Sequence, residues 1–250
     1  MKKKKSKQGD LSPIETGEVN KPAVRSDKSE VASFLSKTRM VRQARDQKGL
    51  GHPTGRLIFA LDATMSRQPS WDLACSLQSD MFVESQRHGR LATQLVYFRG
   101  TNECKASRWT LLADDMIGWM ERFQCRAGRT QLGRILQHIQ DEAVTQPVQA
   151  VVYVGDCLEE DADHIAGLAG EVALRSVPVF LFQEGDDAYA KTMFREIARI
   201  TGGAYAHFDG SARSKLAAYL RSIAAYAAAG RNRDLLPSEL RQQLPRLTSR

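Results

Sequence analysis

Short unbroken apolar runs alternate along this chain with longer stretches whose apolar residues recur at helical spacing. Unbroken runs of this length predict buried strands, and the helical spacing predicts helices with one face on a core. The predicted strands are 56–62, 91–99, 101–108, 149–155, 177–183 and 204–208. The predicted helices are 69–88, 110–124, 130–145, 159–175, 187–201 and 211–229.

This order of elements indicates the fold class. Strands that alternate with helices are typical of α/β proteins with a mostly parallel sheet. We therefore expect a Rossmann-like, doubly wound, mostly parallel sheet with helices on both faces. The segment 101–108, which follows a turn at Gly100, is expected to be one short antiparallel edge strand. The folded domain is predicted to span 55–229.

The two ends of the chain differ from this domain in composition. Residues 1–50 hold 13 Lys and Arg against 6 Asp and Glu, whereas residues 51–229 hold 18 against 21. The segment 1–54 is therefore predicted to be a basic, largely disordered extension with a short helix over 29–47, and 230–250 a C-terminal tail. The Lys-rich start fits a solvated tail best, and contact with nucleic acid or an anionic surface is the alternative.

Features that would direct the chain out of the cytoplasm are not evident. The Lys run at 2–5 is followed by polar residues rather than the apolar segment of a signal peptide. No apolar run approaches the ~18 residues that span a bilayer. The four cysteines show no C-x-x-C spacing, which favours reduced thiols. We predict a soluble, cytoplasmic protein without a transmembrane segment.

Oxygen-bearing side chains follow the first predicted strand of the domain. Asp62 ends this strand, and Thr64 and Ser66 follow at spacings of two. These residues form the first loop of interest. Thr130 lies in a second loop, which contains Gly128, and Asp156 begins a third loop directly after another buried strand. The carboxyl ends of parallel strands share one edge, where open α/β sheets place their ligands. Carboxylate and hydroxyl oxygens suit Mg²⁺ or Mn²⁺, so these five residues are the predicted metal site.

The same five residues resemble the metal-ion-dependent adhesion site of the von Willebrand factor type A (VWA) family. Asp62, Thr64 and Ser66 are similar to its D-x-S-x-S element, with Thr in place of the first Ser. Thr130 matches the family's Thr in a Gly-containing loop, and Asp156 matches its late Asp. The resemblance covers about residues 55–229 and implies a VWA-type fold.

Two further segments bear on the resemblance. Residues 197–205 are similar to the helix-to-strand turn near the end of VWA domains. Cys157 stands where many relatives have Gly, which is a departure in the third loop.

The resemblance also implies a function. Thr64 and Ser66 would be direct ligands of Mg²⁺, Asp62 and Asp156 would act through water, and Thr130 would contact the ion in either way. The bound ion would engage an acidic side chain of a protein partner. The chain is accordingly expected to be a non-enzymatic, metal-dependent protein-binding module in the assembly or regulation of an intracellular complex, of a bacterial type.

Alternatives remain open. The same residues could simply cap helices. A Mg²⁺-dependent hydrolase or phosphatase of the haloacid-dehalogenase type would also place an Asp after the first strand, but it needs a second acid where Thr64 stands. Cys157 could be a reactive thiol, although a buried cysteine is more common. Neither a nucleophile elbow nor a nucleotide-binding glycine motif occurs in the sequence.

Overall fold

The computed structural model describes residues 11–13, 55–64, 84, 87–120, 127–208 and 213–245. The strands are β1 (Leu11–Pro13), β2 (Gly55–Asp62), β3 (Leu91–Arg99), β4 (Glu103–Ser107), β5 (Ala150–Gly155), β6 (Val179–Glu184) and β7 (Ala204–Phe208). The helices are α1 (Ala113–Met120), α2 (Leu132–Thr145), α3 (Ala162–Leu174), α4 (Ala188–Thr201), α5 (Arg213–Ala228) and α6 (Ser238–Arg241), with a 3₁₀ turn at Arg233–Leu235.

The strands form one sheet in the order β1-β4-β3-β2-β5-β6-β7. Five adjacent strands of this sheet are parallel to one another: β3, β2, β5, β6 and β7. Strand β4 runs antiparallel to β3. The predicted α/β fold class and its short antiparallel strand are thus confirmed. From the central strand β2, the chain passes to β3 on one side and later to β5 on the other. Such a reversal opens a crevice at the carboxyl ends of β2 and β5.

Helices cover both faces of the sheet, as predicted. Alternate residues of β2 point to opposite faces, so Leu57 and Phe59 join one apolar cluster and Ile58 and Ala60 join the other. Helices α1 and α5 pack in the first cluster, and α2, α3 and α4 pack in the second. All eight residues of β2 are buried, which explains the unbroken apolar run from Leu57 to Leu61.

The predicted boundaries agree closely with the structure. Strands 91–99 and 204–208 have the predicted limits, and α3 begins three residues later than predicted because Asp161 is its N-cap. The predicted helix 69–88 lies mostly outside the described residues, although residues 84, 87 and 88 are helical. The predicted helix 29–47 and residues 121–124 of the predicted helix 110–124 also lie outside them.

The terminal segments contribute to the folded unit. Within the extension that was predicted to be largely disordered, β1 pairs antiparallel with β4. The segment 230–245 was assigned to a tail, yet Leu236, Leu240 and Leu244 are buried in the α5 side of the core. Burial of these three leucines holds the segment to the domain. Among the described residues, no helix is long and apolar enough to cross a membrane.

Candidate functional site

The first and third predicted loops meet at the crevice between β2 and β5. Asp62 is the last residue of β2, and Asp156 directly follows β5. The two strands pair in parallel, with Leu61 opposite Val154, so both loops leave the sheet at the same edge. Asp62 is only 2% exposed and Thr64 is buried, whereas Asp156 is partly exposed. The site therefore has a buried base and an accessible rim.

Backbone hydrogen bonds fix the first loop. The N–H of Thr64 donates to Oδ1 of Asp62 over 2.8 Å, and the N–H of Ala63 donates to the carbonyl of Phe98 over 3.0 Å. The first bond closes a local turn between the Asp62 side chain and the backbone two residues further on. Short polar side chains favour turns of this kind. It holds the Asp62 carboxylate in one orientation at the end of β2.

Three side chains converge at this crevice with atoms that could hold a metal ion. One ligand atom from each of Asp62, Asp156 and Cys157 lies within 4.8 Å of the other two. Burial raises the pKa of the Cys157 thiol to about 12, and the neighbouring Asp156 carboxylate adds to the effect. Without a metal, Cys157 is therefore a neutral thiol at neutral pH. Cys157 was not among the five ligands predicted from the sequence, where it stood as a departure from the motif and a possible reactive thiol.

Thr130 lies in the loop that precedes α2 and is buried. Its hydroxyl accepts a 2.9 Å hydrogen bond from the N–H of Glu159, and its own N–H donates to the Glu159 carboxylate over 3.3 Å. The N–H of Arg129 donates to the carbonyl of Gly100, in the turn between β3 and β4. Thr130 thus connects the second loop to the third loop at Glu159, which lies three residues after Asp156.

Glu160 is a residue of this region that the sequence analysis missed. Its carboxylate accepts hydrogen bonds from the N–H of Leu132 over 2.7 Å and from the N–H of Gly133 over 2.8 Å. The residue before α2, Gln131, makes no capping bond with its side chain, so Glu160 caps this helix from another loop. Burial raises the pKa of Glu160, although these backbone hydrogen bonds oppose the shift. The only signal in the sequence was a Glu-Glu-Asp cluster after Asp156.

These contacts bear on the helix-capping alternative. Asp161 caps α3 and Glu160 caps α2, so neither Asp156 nor Thr130 is the capping side chain of those helices. Of the five predicted ligands, the structure places Asp62, Thr64 and Asp156 at the crevice. Ser66 lies outside the described residues, and its role remains a prediction.

Comparisons with known proteins support the fold. No protein-family profile and no curated protein sequence matches this chain. Among solved structures, the von Willebrand factor type A protein from Catenulispora acidiphila matches with a TM-score of 0.57 at 15% identity, over 71% of this chain and 43% of that one. The conserved hypothetical protein BatB from Bacteroides thetaiotaomicron matches with a TM-score of 0.53 at 18% identity, over 68% and 98%.

The SpRpn10 VWA domain also matches, with a TM-score of 0.52 at 12% identity, over 62% of this chain and 88% of that domain. At these identities the similarity concerns the fold, and the chain has the VWA-type α/β fold that the sequence analysis predicted. The structures matched here give no support to the hydrolase alternative.

Proposed function

We propose that this chain is a metal-dependent protein-binding module that engages an acidic side chain of its partner. The observation that carries the proposal is the convergence of Asp62, Asp156 and Cys157 at the crevice of a VWA-type sheet. In this fold, the crevice at the carboxyl ends of the strands is the position where ligands bind. The expectation that the module is not an enzyme, and that it works inside the cell, forms part of this proposal.

The two carboxylates of this cluster and the neighbouring hydroxyls fit a hard divalent cation. Direct oxygen ligands of Mg²⁺ lie about 2.0–2.1 Å from the ion, so two of them are at most about 4.2 Å apart. The carboxylate oxygens of Asp62 and Asp156 in the cluster lie within 4.8 Å of each other, which is close enough for both to contribute to one site. Mg²⁺ commonly keeps several waters, so either carboxylate could reach the ion directly or through water.

Residues from all three loops would contribute to the metal site. Asp62 and Asp156 would hold Mg²⁺ or Mn²⁺ together with the hydroxyls of Thr64, Ser66 and Thr130. The bound ion would supply positive charge to a partner's carboxylate. The turn between Asp62 and Thr64 keeps the first carboxylate in place before binding, which reduces the entropy lost when a partner arrives.

The metal site is tested by calorimetry on the full chain. We expect Mg²⁺ and Mn²⁺ to bind the parent protein and not the Asp62→Ala variant, which should still fold. Asp186→Ala is a matched control, because the Asp186 side chain is fully exposed and belongs to the loop after β6. Equal metal binding by parent and Asp62→Ala would exclude this site.

A second experiment separates the module from the hydrolase alternative. We expect partner capture to require Mg²⁺ and to be lost in Asp62→Ala, without turnover of a generic phosphomonoester. Turnover that depends on Mg²⁺ and disappears in Asp62→Asn would instead identify a hydrolase. Unchanged capture by Asp62→Ala would refute the role of the metal in partner binding.

A further inference from the structure

A groove of about 790 Å³ follows the edge of the sheet at β7, far along the strand order from the crevice at β2. Helix α4 forms one wall with Arg195, Ala198 and Arg199. The other wall comes from Lys215 and Tyr219 of α5 together with the segment 239–245. The strand itself forms the floor, where Tyr205 and Ala206 are two of the lining residues.

Within the part of the chain that the structure describes, the edge of β7 in this groove is paired with a side chain instead of a strand. The N–H of Tyr205 donates to Oε1 of Gln243 over 2.9 Å, and Nε2 of Gln243 donates to the carbonyl of Tyr205 over 3.0 Å. A primary amide thus occupies the place that one peptide group of an added strand would take. Gln243 is exposed, so its side chain can leave while the buried Leu240 and Leu244 stay in the core.

The walls of the groove are basic. Arg195, Arg199 and Lys215 line it against one acid, Glu239, although residues 51–229 as a whole carry more acidic than basic side chains. The guanidinium of Arg195 lies 5.2 Å from the ring centre of Tyr205, and Nζ of Lys215 lies 3.5 Å from Glu239. Arg199 is also paired with Glu196 of α4, so the positive charge beside the β7 edge comes mainly from Arg195 and Lys215.

We propose that this groove binds an extended, acidic segment of a partner protein by strand addition to β7. The backbone of the segment would replace the amide of Gln243 at Tyr205, and its carboxylates would lie against Arg195 and Lys215. Strand addition uses the unpaired edge of a sheet for affinity and the flanking side chains for specificity. This interface needs no metal and does not depend on the proposed function of the crevice.

The first experiment selects binders from a random octapeptide library on the immobilised full chain, with chelator present. We expect the selected peptides to be enriched in Asp and Glu and depleted in Pro. The affinity of one selected peptide, measured by fluorescence anisotropy, should fall about tenfold or more in the double variant Arg195→Glu, Lys215→Glu. Arg175→Glu is the matched control, since Arg175 is exposed at the end of α3.

The second experiment reports on the backbone. In Gln243→Ala, the N–H of Tyr205 loses its acceptor, so its hydrogen exchange should accelerate; the selected acidic peptide should then restore its protection. Protection of Tyr205 by the peptide would establish strand addition.

Three results would overturn the proposal. The selected peptides could show no acidic enrichment, or the charge-reversed double variant could bind them as well as Arg175→Glu does. Binding that depends on Arg195 and Lys215 but leaves the Tyr205 amide unprotected would indicate a surface for polyanions such as nucleic acid.

Discussion

The hydroxyl of Thr130 accepts a 2.9 Å hydrogen bond from the backbone N–H of Glu159, which joins the loop before α2 to the loop after β5. The two residues are 29 positions apart in the chain. Because Asp156 lies in the same loop as Glu159, this bond helps to set the position of Asp156 relative to Thr130.

Replacement of Thr130 by Val tests this connection. Val has nearly the shape of Thr but cannot accept a hydrogen bond, so the Glu159 N–H loses its partner. We expect a loss of about 1–2 kcal/mol in the free energy of unfolding. Affinity for Mg²⁺ should fall about tenfold or more, because Val removes a proposed ligand oxygen and also a hydrogen bond that positions the loop of Asp156. Urea unfolding and calorimetry measure the two effects. Thr145→Val, at an exposed position near the end of α2, should change neither.

Replacement of Glu160 by Ala removes the cap of α2. The N–H groups of Leu132 and Gly133 would lose their acceptors at a helix start where Gln131 supplies none. We expect a loss of about 1–3 kcal/mol in the free energy of unfolding, measured with urea. The exposed Glu171 of α3 provides the matched control, Glu171→Ala. Equal stability of the two variants would show that α2 does not depend on this cap.

Arg56 holds the amino-terminal end of β2 to α2. Its guanidinium carbon lies 3.7 Å from the ring centre of Trp109, and its nitrogens donate to the Glu142 carboxylate over 2.7 Å and to the carbonyl of Gln146 over 2.8 Å. Lys keeps the charge but cannot stack and donate in two directions at once. Arg56→Lys should therefore cost about 1–3 kcal/mol of unfolding free energy in urea. If Arg56→Lys lost no more unfolding free energy than Arg175→Lys, the charge of residue 56 alone would account for its effect on stability.

His138 makes the stability of the protein depend on pH. Burial lowers the pKa of His138, while the Glu142 and Asp141 carboxylates oppose the shift and Arg56 adds to it. The ring lies 2.9 Å from Oε1 of Gln94, whose own amide nitrogen donates to Glu142, so Nε2 of His138 is the donor.

A pKa that is lower in the folded state gives stability that is complete above the ordinary histidine value and is lost as the pH falls through the folded value. We expect the parent to lose more unfolding free energy than His138→Gln between about pH 7 and about pH 5.5. Burial also acts to raise the pKa of Glu142, but hydrogen bonds from Trp109, Gln94 and Arg56 lower it overall, so Glu142 adds a loss of the same sign at lower pH. Parallel pH profiles of the two proteins would contradict the prediction.

Cys157 should influence which metal the crevice prefers. A thiol close to two carboxylates adds a soft donor, which favours Zn²⁺ but not Mg²⁺. In Cys157→Ser we expect Zn²⁺ to bind more weakly and Mg²⁺ to bind as in the parent, both measured by competition titration. The buried Cys104 of β4 is the control, since Cys104→Ser should leave the ratio of Zn²⁺ to Mg²⁺ affinity unchanged. An unchanged ratio in Cys157→Ser would place the thiol outside the coordination shell.

The sequence alone determined the fold class and the places where the loops of the proposed metal site leave the sheet. Burial on both faces requires an unbroken apolar strand such as β2, and the polar residues after such strands mark the loops. Asp62 and Asp156 each stand at the end of such a strand, which predicts both at one edge of the sheet.

Tertiary structure decided how the loops are held and which side chains join them. Glu160 caps a helix 27 and 28 positions away, and Arg56 pairs with Glu142 across 86 positions. Likewise, Gln243 pairs with Tyr205 across 38 positions. Hydrophobic periodicity reports only on neighbours within a few turns of the same element. Contacts between distant polar residues depend on how the helices and strands pack, and no local pattern in the chain encodes them.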